Sequence, residues 1–198
     1  MSDGHSDLAK GSRVAREMAA YAGKPGGPVG ADSGMLLAPS QDMPVTKTAP
    51  MEVLRTTWPE TWMKVAHAMA ERSYDPRLRV GAIVVSSDNT LVLSVGYNGN
   101  YRGGPHFHES PEPGESGFIH AEVNALVKCD FNFPKPKHMY VTHSPCRDCS
   151  KLIINAGIER FVFDHPYRDA SGIELLRSVG IEVLGILDAI EAAIPKGR

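Results

Sequence analysis

The sequence has little of what marks a membrane, secreted or polyanion-binding protein. No apolar run approaches the roughly 18 residues of a membrane span, and the polar, glycine-rich start lacks the apolar block of a secretory signal. The 198 residues carry 21 Lys and Arg against 23 Asp and Glu, a net charge of −2. Because no basic cluster stands out, a nucleic-acid partner is not expected. We predict a cytoplasmic protein without a membrane partner.

Cysteine is scarce, and this scarcity excludes a disulfide framework. Of the three cysteines, Cys146 and Cys149 stand in a C-x-x-C spacing, which is typical of metal or redox chemistry in a reducing compartment. Cys129 has no partner at such a spacing. We expect it to be a small buried hydrophobic residue on a helix.

The chain divides by composition near residue 57. Residues 1–57 are rich in glycine, proline and small polar residues and have few apolar anchors, so they predict an N-terminal extension that is either disordered or packed on a neighbouring subunit. A short helix is expected within residues 6–23, where Ser6 or Asp7 would cap it and Gly23 would stop it. Residues 58–198 form the predicted domain.

Hydrophobic periodicity within 58–198 predicts alternating helices and strands. Trp62, Val65, Ala66 and Met69 recur at helical spacing, and two β-branched runs on either side of Asp88-Asn89 predict a hairpin. Further helices are predicted at 120–129, 147–156, 169–178 and up to 193, and further strands at 138–143, 160–165 and 181–186. This order predicts an α/β layered domain whose later strands are parallel.

Two of the predicted helices begin with residues that bind metals. His120 and Glu122 open one helix, and Cys146 and Cys149 lie on one face at the start of the next. A catalytic zinc usually has three protein ligands and an open fourth position, which His120, Cys146 and Cys149 would supply. A redox dithiol or a structural zinc would leave Glu122 without a role, whereas general acid–base work beside the metal gives it one.

These residues match the signature of zinc-dependent deaminases, in which H-x-E is followed by P-C-x-x-C. The chain resembles the cytidine and deoxycytidylate deaminase superfamily, and most closely its deoxycytidylate branch. Beyond the metal signature, the resemblance lies in "AERSYDPRLRVGAIVV", "GYNG", "HAEVNAL" and "PCRDCSKLIINAGIERFVF". It covers about residues 60–186.

The resemblance implies a fold, a cofactor and a reaction. The fold would be a cytidine-deaminase-like three-layer α/β/α domain with a mixed five-stranded sheet. One Zn²⁺ held by His120, Cys146 and Cys149 would serve hydrolysis of dCMP to dUMP and ammonia, with Glu122 as the catalytic acid and base. Such an enzyme is a hydrolase of cyclic amidines in pyrimidine nucleotide metabolism, and its chains are expected to form a homo-oligomer.

The resemblance also implies substrate contacts. Asn98 of "GYNG" would bind the sugar, the backbone around Ala121 would hold the pyrimidine, and Arg72 or Ser73 would lie near the phosphate. Arg102, in the glycine-flanked stretch after Asn98, is a further candidate for an anion contact.

The loop of residues 99–117 departs from the branch. It has no cysteine, so a cysteine-based second zinc site is absent. Because the loop differs, the resemblance does not establish regulation by nucleoside triphosphates or a strict preference for the monophosphate. His106, His108 and Glu109 offer a metal site as one alternative, although a mobile polar lid is the favoured interpretation. His143 and Ser144, which replace more apolar residues, would either adjust the pocket or pack.

Two other functions stay open at this stage. The chain could deaminate another cytosine, adenine or pterin-like ring, or it could be a non-catalytic binding module stabilised by zinc. The wider cysteine spacing of the riboflavin-pathway deaminases and the lack of a basic patch for tRNA count against the first. Glu122 counts against the second, because a structural zinc needs no acid beside an open position.

Overall fold

A computed structural model describes residues 55–112 and 115–195. The predicted extension lies almost wholly outside the described residues, and so does the short helix expected within residues 6–23. The helices are α1 Trp58–Ala70, α2 Ala121–Leu126, α3 Arg147–Asn155, α4 Ser171–Ser178 and α5 Ile186–Ala193. The strands are β1 Gly81–Ser86, β2 Val92–Tyr97, β3 Lys137–His143, β4 Ile158–His165 and β5 Glu182–Gly185.

The five strands form one mixed sheet in the order β2-β1-β3-β4-β5. β1 pairs antiparallel with β2 and β3, whereas β3–β4 and β4–β5 are parallel. The predicted hairpin is confirmed, and Asn89 in its turn has a φ of 59°, which asparagine tolerates better than most residues. The parallel pairing of the later strands is confirmed as well.

Helices cover both faces of the sheet and give the predicted three-layer architecture. On one face, Trp62 and Ala66 of α1 and Ala189 of α5 pack with Ile83 and Tyr140 of the sheet. On the other face, α2, α3 and α4 enclose a larger core. The domain therefore buries its central strands from both sides.

α1 shows how the sequence positions one of these layers. The Thr57 hydroxyl accepts a hydrogen bond from the Glu60 N–H at 3.4 Å, and Pro59 lies in the first turn. The helix therefore begins with both an N-cap side chain and a first-turn proline, which are common at helix N-termini. The buried stripe differs slightly from the prediction. Met63 is buried, whereas Val65 and Met69 are half-buried at its edges.

α2 is shorter than the sequence predicts. The helix expected over residues 120–129 ends at Leu126, and the N–H groups of Lys128 and Cys129 make tighter turn bonds to Ala125 and Leu126. The predicted burial of Cys129 is confirmed, since it is 8% exposed, but the residue lies three positions past the end of the helix and not on it. Among the described helices, none is long and apolar enough to cross a membrane.

Candidate active site

The metal-binding residues lie at the N-terminal ends of two neighbouring helices. His120 is the N-cap of α2, and Cys146, three residues after the end of β3, is the N-cap of α3. The Cys146 sulfur accepts a hydrogen bond from the Cys149 N–H at 3.5 Å, so it takes the place of the usual hydroxyl cap. Both extended cap residues turn their side chains toward the space between the helices.

The structure brings the three predicted ligands together. His120 Nδ1 lies 3.5 Å from Cys146 Sγ and 3.3 Å from Cys149 Sγ, and all three ligand atoms lie within 4.8 Å of one another. One imidazole nitrogen and two sulfurs are ligands that zinc prefers. The donor set therefore fits a zinc ion with three protein ligands.

The electrostatics of the cluster agree with this fit. Hydrogen bonds from the Cys149 thiol and from His120 lower the pKa of Cys146 to about 4, so its thiolate is present near neutral pH. The same hydrogen bond and burial raise the pKa of Cys149. A cation between the three atoms would compensate the negative charge and release the remaining thiol proton.

Glu122 lies beside this cluster, on the buried side of α2. Its side chain is 4% exposed, and burial raises the pKa of its carboxyl group above the ordinary range. The Cys149 thiol also interacts with this carboxyl. A buried carboxyl with an upward-shifted pKa is suited to accepting and returning a proton.

A cavity of about 240 Å³ opens next to the cluster. Its walls come from the segment after α1, the end of β2, the loop before α2 and the residues after β3 and β4. The lining residues are Asp75, Arg77, Leu78, Val80, Asn98, Ser116, Phe118, His120, Ala121, Glu122, His143, Ser144, Cys146 and Tyr167. The predicted residues Asn98 and Ala121 are among them, and so are His143 and Ser144.

The side chain of Asn98 is held firmly by its own protein neighbours. Its Nδ2 donates to Asp75 Oδ2 at 3.1 Å and to the Leu78 carbonyl at 2.8 Å, and its Oδ1 accepts from the Val80 N–H at 2.8 Å. A carbonyl oxygen has a second lone pair. Asn98 therefore offers a substrate an acceptor in a fixed orientation, and its contact with the sugar stays a prediction.

The three residues predicted near the phosphate do not line the cavity. Arg72 and Arg102 are exposed. Ser73 is buried, and its hydroxyl donates to the Asn98 carbonyl at 2.9 Å while accepting from the Asp75 N–H, so it supports the cavity from behind. Their contact with substrate stays a prediction.

Sequence reasoning missed several cavity residues. Arg77, Phe118 and Tyr167 line the cavity, and the Tyr167 N–H donates to Ser144 Oγ at 2.7 Å. Arg77 directly follows the Asp-Pro pair of the matched "SYDP" stretch, which is a signal that could have identified it. Tyr167 follows β4, and only the parallel alignment of β3 with β4 brings it beside Ser144.

The histidines of loop 99–117 are engaged with protein rather than with each other. His106 stacks on Tyr74, and His108 Nε2 lies 3.0 Å from Asp75 Oδ1. Over residues 55–112 and 115–195, the one group of side chains arranged for a metal is His120, Cys146 and Cys149. The alternative of a metal site at His106, His108 and Glu109 finds no support in this part of the chain.

Comparison with known proteins agrees with this geometry. Residues 56–165 match the family model of the cytidine and deoxycytidylate deaminase zinc-binding region. The ComE operon protein 2 of Bacillus subtilis is 36% identical over 140 residues, which cover 65% of this chain and 71% of that protein. Human deoxycytidylate deaminase is 39% identical over 122 residues, which cover 57% of this chain and 68% of the human protein.

A solved structure is similar as well. It is the dCMP deaminase of cyanophage S-TIM5 in complex with dCMP and dUMP, which is 37% identical at a TM-score of 0.55 and aligns with 64% of this chain and 94% of its own. The chain therefore belongs to the cytidine and deoxycytidylate deaminase family, and residues 56–165 are its zinc-binding region.

Proposed function

We propose that this protein is a zinc-dependent deaminase that hydrolyses dCMP to dUMP and ammonia. The observation that carries the proposal is that the ligand atoms of His120, Cys146 and Cys149 lie together beside a cavity that is lined by His120, Cys146 and the buried acid Glu122. Related chains bear the name deoxycytidylate deaminase, and one structural neighbour is described with dCMP and dUMP bound.

The reaction balances with one water: dCMP and water give dUMP and ammonia. When bound by His120, Cys146 and Cys149, zinc supplies the Lewis acid that makes a water acidic enough to act as a nucleophile near neutral pH. Glu122 would take one proton from that water and deliver it to N3 of the pyrimidine as the oxygen adds to C4, and would then take the second proton from the hydroxyl on C4 and pass it to the leaving amine. Each transfer uses the same carboxyl.

The rest of the cavity orients the substrate. In this proposal the Ala121 backbone, at the start of α2, holds the pyrimidine edge and Asn98 holds the sugar; both residues line the cavity. Phe118 is buried and apolar at the cavity wall, which suits a flat ring. Arg77 is the one arginine among the described residues that line the cavity. It is therefore a third candidate for binding the phosphate, in addition to Arg72 and Arg102.

The proposal is tested by ammonia release from a panel of cytosine, cytidine, deoxycytidine and their mono- and triphosphates, with zinc-loaded protein. We expect dCMP to give the highest kcat/KM. If a nucleoside or a free base is turned over in preference to dCMP, the assigned substrate is wrong, although the zinc-dependent deamination reaction still holds. No release from any compound would favour the alternative of a zinc-stabilised binding module.

We further propose that the protein works as a homo-oligomer in which residues 1–57 lie partly on a neighbouring chain. The basis is the composition of this segment, which has too few apolar residues to form a core of its own.

A further inference from the structure

The loop of residues 99–117, where the chain departs from its family, is attached to the segment that follows α1. The Arg77 guanidinium donates to three successive carbonyl oxygens of the loop, at 2.8 Å for Pro111, 3.3 Å for Glu112 and 3.4 Å for Ser110. These bonds are exposed to solvent. A fourth attachment, through His108, is largely buried and reaches the cavity wall.

His108 bonds to a buried carboxylate. Its Nε2 lies 3.0 Å from Asp75 Oδ1, and the two side chains are 13% and 8% exposed. Because a carboxylate only accepts, His108 must be the donor. Burial alone would raise the pKa of Asp75, but hydrogen bonds from the Arg77 and Leu78 N–H groups and from His108 outweigh it and hold that pKa below its ordinary value.

Asp75 passes this contact on to Asn98. Its Oδ1 accepts from the Arg77 and Leu78 N–H groups at 2.8 and 3.1 Å, and its Oδ2 accepts from Asn98 Nδ2 at 3.1 Å. Both Asp75 and Asn98 line the cavity. A carboxylate fixed at one oxygen by several donors presents its other oxygen in a fixed direction, so the orientation of Asn98 depends on how Asp75 is held.

His108 also touches a second cavity residue. Its ring meets that of Phe118 edge to face, with centroids 5.1 Å apart and an interplanar angle of 73°. Phe118 lines the cavity, whereas His108 itself is not among the lining residues. One side chain of the loop therefore supports two residues of the cavity wall from behind.

We propose that His108 is a positioning residue, which by donating to Asp75 and packing on Phe118 fixes Asn98 and the apolar wall against the nucleotide. This inference rests on the proposed function, since it concerns substrate binding in the same cavity. His108 thereby makes its loop part of the binding site, although its own side chain does not touch the substrate.

The first test compares variants of His108 in steady-state kinetics with dCMP. In H108A both contacts are lost, and in H108N the shorter amide does not reach Asp75, whereas in H108Q an amide N–H can take the place of Nε2–H. We expect KM to rise roughly tenfold in H108A and H108N with kcat changed much less, and H108Q to recover most of the loss.

The matched control is H106A. His106 belongs to the same loop, but it is exposed and stacks on Tyr74, with ring centroids 3.9 Å apart. We expect its KM to stay within about twofold of the unmodified protein. An unchanged KM in both H108A and H108N, or an H108Q as poor as H108A, would overturn the proposal. Zinc content and Tm of each variant identify any that fails to fold.

The second test needs no substrate, so it separates this inference from the proposed function. Hydrogen exchange is measured on zinc-loaded protein for peptides covering residues 76–80, because the Leu78 N–H donates to Asp75 and the Val80 N–H donates to Asn98 Oδ1. H108A should accelerate exchange there, and H108Q and H106A should not. Equal exchange in H108A and the unmodified protein would refute the role of His108 even if dCMP is the substrate. Absence of dCMP turnover together with the expected exchange would refute only the proposed function.

Discussion

Among single residues, Glu122 and Asp75 are the two buried acids of the described part of the chain, and Glu122 is the one beside the three ligand atoms. It lines the cavity, and burial raises the pKa of its carboxyl group. Most other acidic side chains of the described residues, such as Glu174, are exposed. Burying a carboxyl costs free energy unless it is hydrogen-bonded or paired, and proton transfer in the cavity is the function that would explain why an acid stands here.

Replacing Glu122 should therefore separate catalysis from zinc binding. E122Q keeps the shape of the side chain but cannot carry the proton, so we expect it to bind zinc normally and to lose at least about 10²-fold in kcat. E174Q, on the exposed side of α4, is the control and should be fully active. Near-normal turnover by E122Q would remove Glu122 from the mechanism.

The ligand residues make a second prediction. C146A and C149A each remove one of three ligands, and we expect metal analysis to show zinc falling well below one ion per chain in both. C129A, which removes the buried cysteine outside the cluster, should keep its zinc. Full zinc content in both ligand variants would contradict the assignment.

The third prediction at single residues concerns which arginine binds the substrate phosphate. A charge-assisted bond from arginine to phosphate contributes about 1.5–3 kcal/mol, or roughly ten- to a hundredfold in kcat/KM. Because Arg77 lines the cavity and Arg72 and Arg102 do not, R77A should reduce the preference for dCMP over deoxycytidine most. If R72A or R102A lowers the ratio while R77A does not, the contact implied by the family resemblance is the correct one.

At the scale of elements, close packing holds the catalytic helix against the sheet. Gly96 of β2 faces α2, and a Cβ added there would come within 2.5 Å of the Ala125 nitrogen and 3.0 Å of its Cα, besides meeting the Ala121 carbonyl. These are backbone atoms that cannot rotate away. The sheet thus fixes the depth at which α2, and with it His120 and Glu122, lies.

Substitution of Gly96 should consequently affect both stability and activity. In G96A the added methyl pushes α2 outward, and we expect a loss of roughly 1–3 kcal/mol in the free energy of unfolding together with reduced kcat. Gly99 is the control, because a Cβ there would meet only the Tyr97 ring at 3.8 Å. Equal denaturation midpoints for G96A and G99A would show that α2 is not held in this way.

The helices, the strands and the ligand set could largely be predicted from the sequence. Periodicity located every described helix and strand to within a few residues, because the strands are β-branched and apolar and the helices carry caps such as Thr57. It overextended α2, because residues 127–129 keep a helical composition while their N–H groups bond in tighter turns. The ligand set was predictable because both halves carry fixed local spacings.

Contacts between distant segments were not predictable in this way. The residues Arg77, Phe118 and Tyr167 line one cavity but come from three separate parts of the chain. No local sequence pattern predicts that they lie together. The link from His108 through Asp75 to Asn98 also joins residues that are far apart in sequence. Such contacts depend on the path of loop 99–117, which the turn residues of the loop do not specify.

The whole molecule is expected to be a homo-oligomer. Light scattering of the full chain at micromolar concentration should report a mass that is a multiple of 21.5 kDa, and removal of residues 1–54 should weaken the assembly if this segment lies on a neighbour. A monomer at that concentration would contradict the homo-oligomer, and an assembly that the truncation does not weaken would contradict the placement of this segment on a neighbouring chain.

The central claim is that this protein replaces the exocyclic amine of dCMP with an oxygen from water, by means of Glu122. The most direct measurement is mass spectrometry of the product formed from dCMP by zinc-loaded protein in water labelled with heavy oxygen. We expect dUMP carrying the label on the pyrimidine ring, with ammonia in equal amount, and almost no labelled product from E122Q. Unlabelled dUMP, no dUMP at all, or labelled product formed equally fast by E122Q would contradict it.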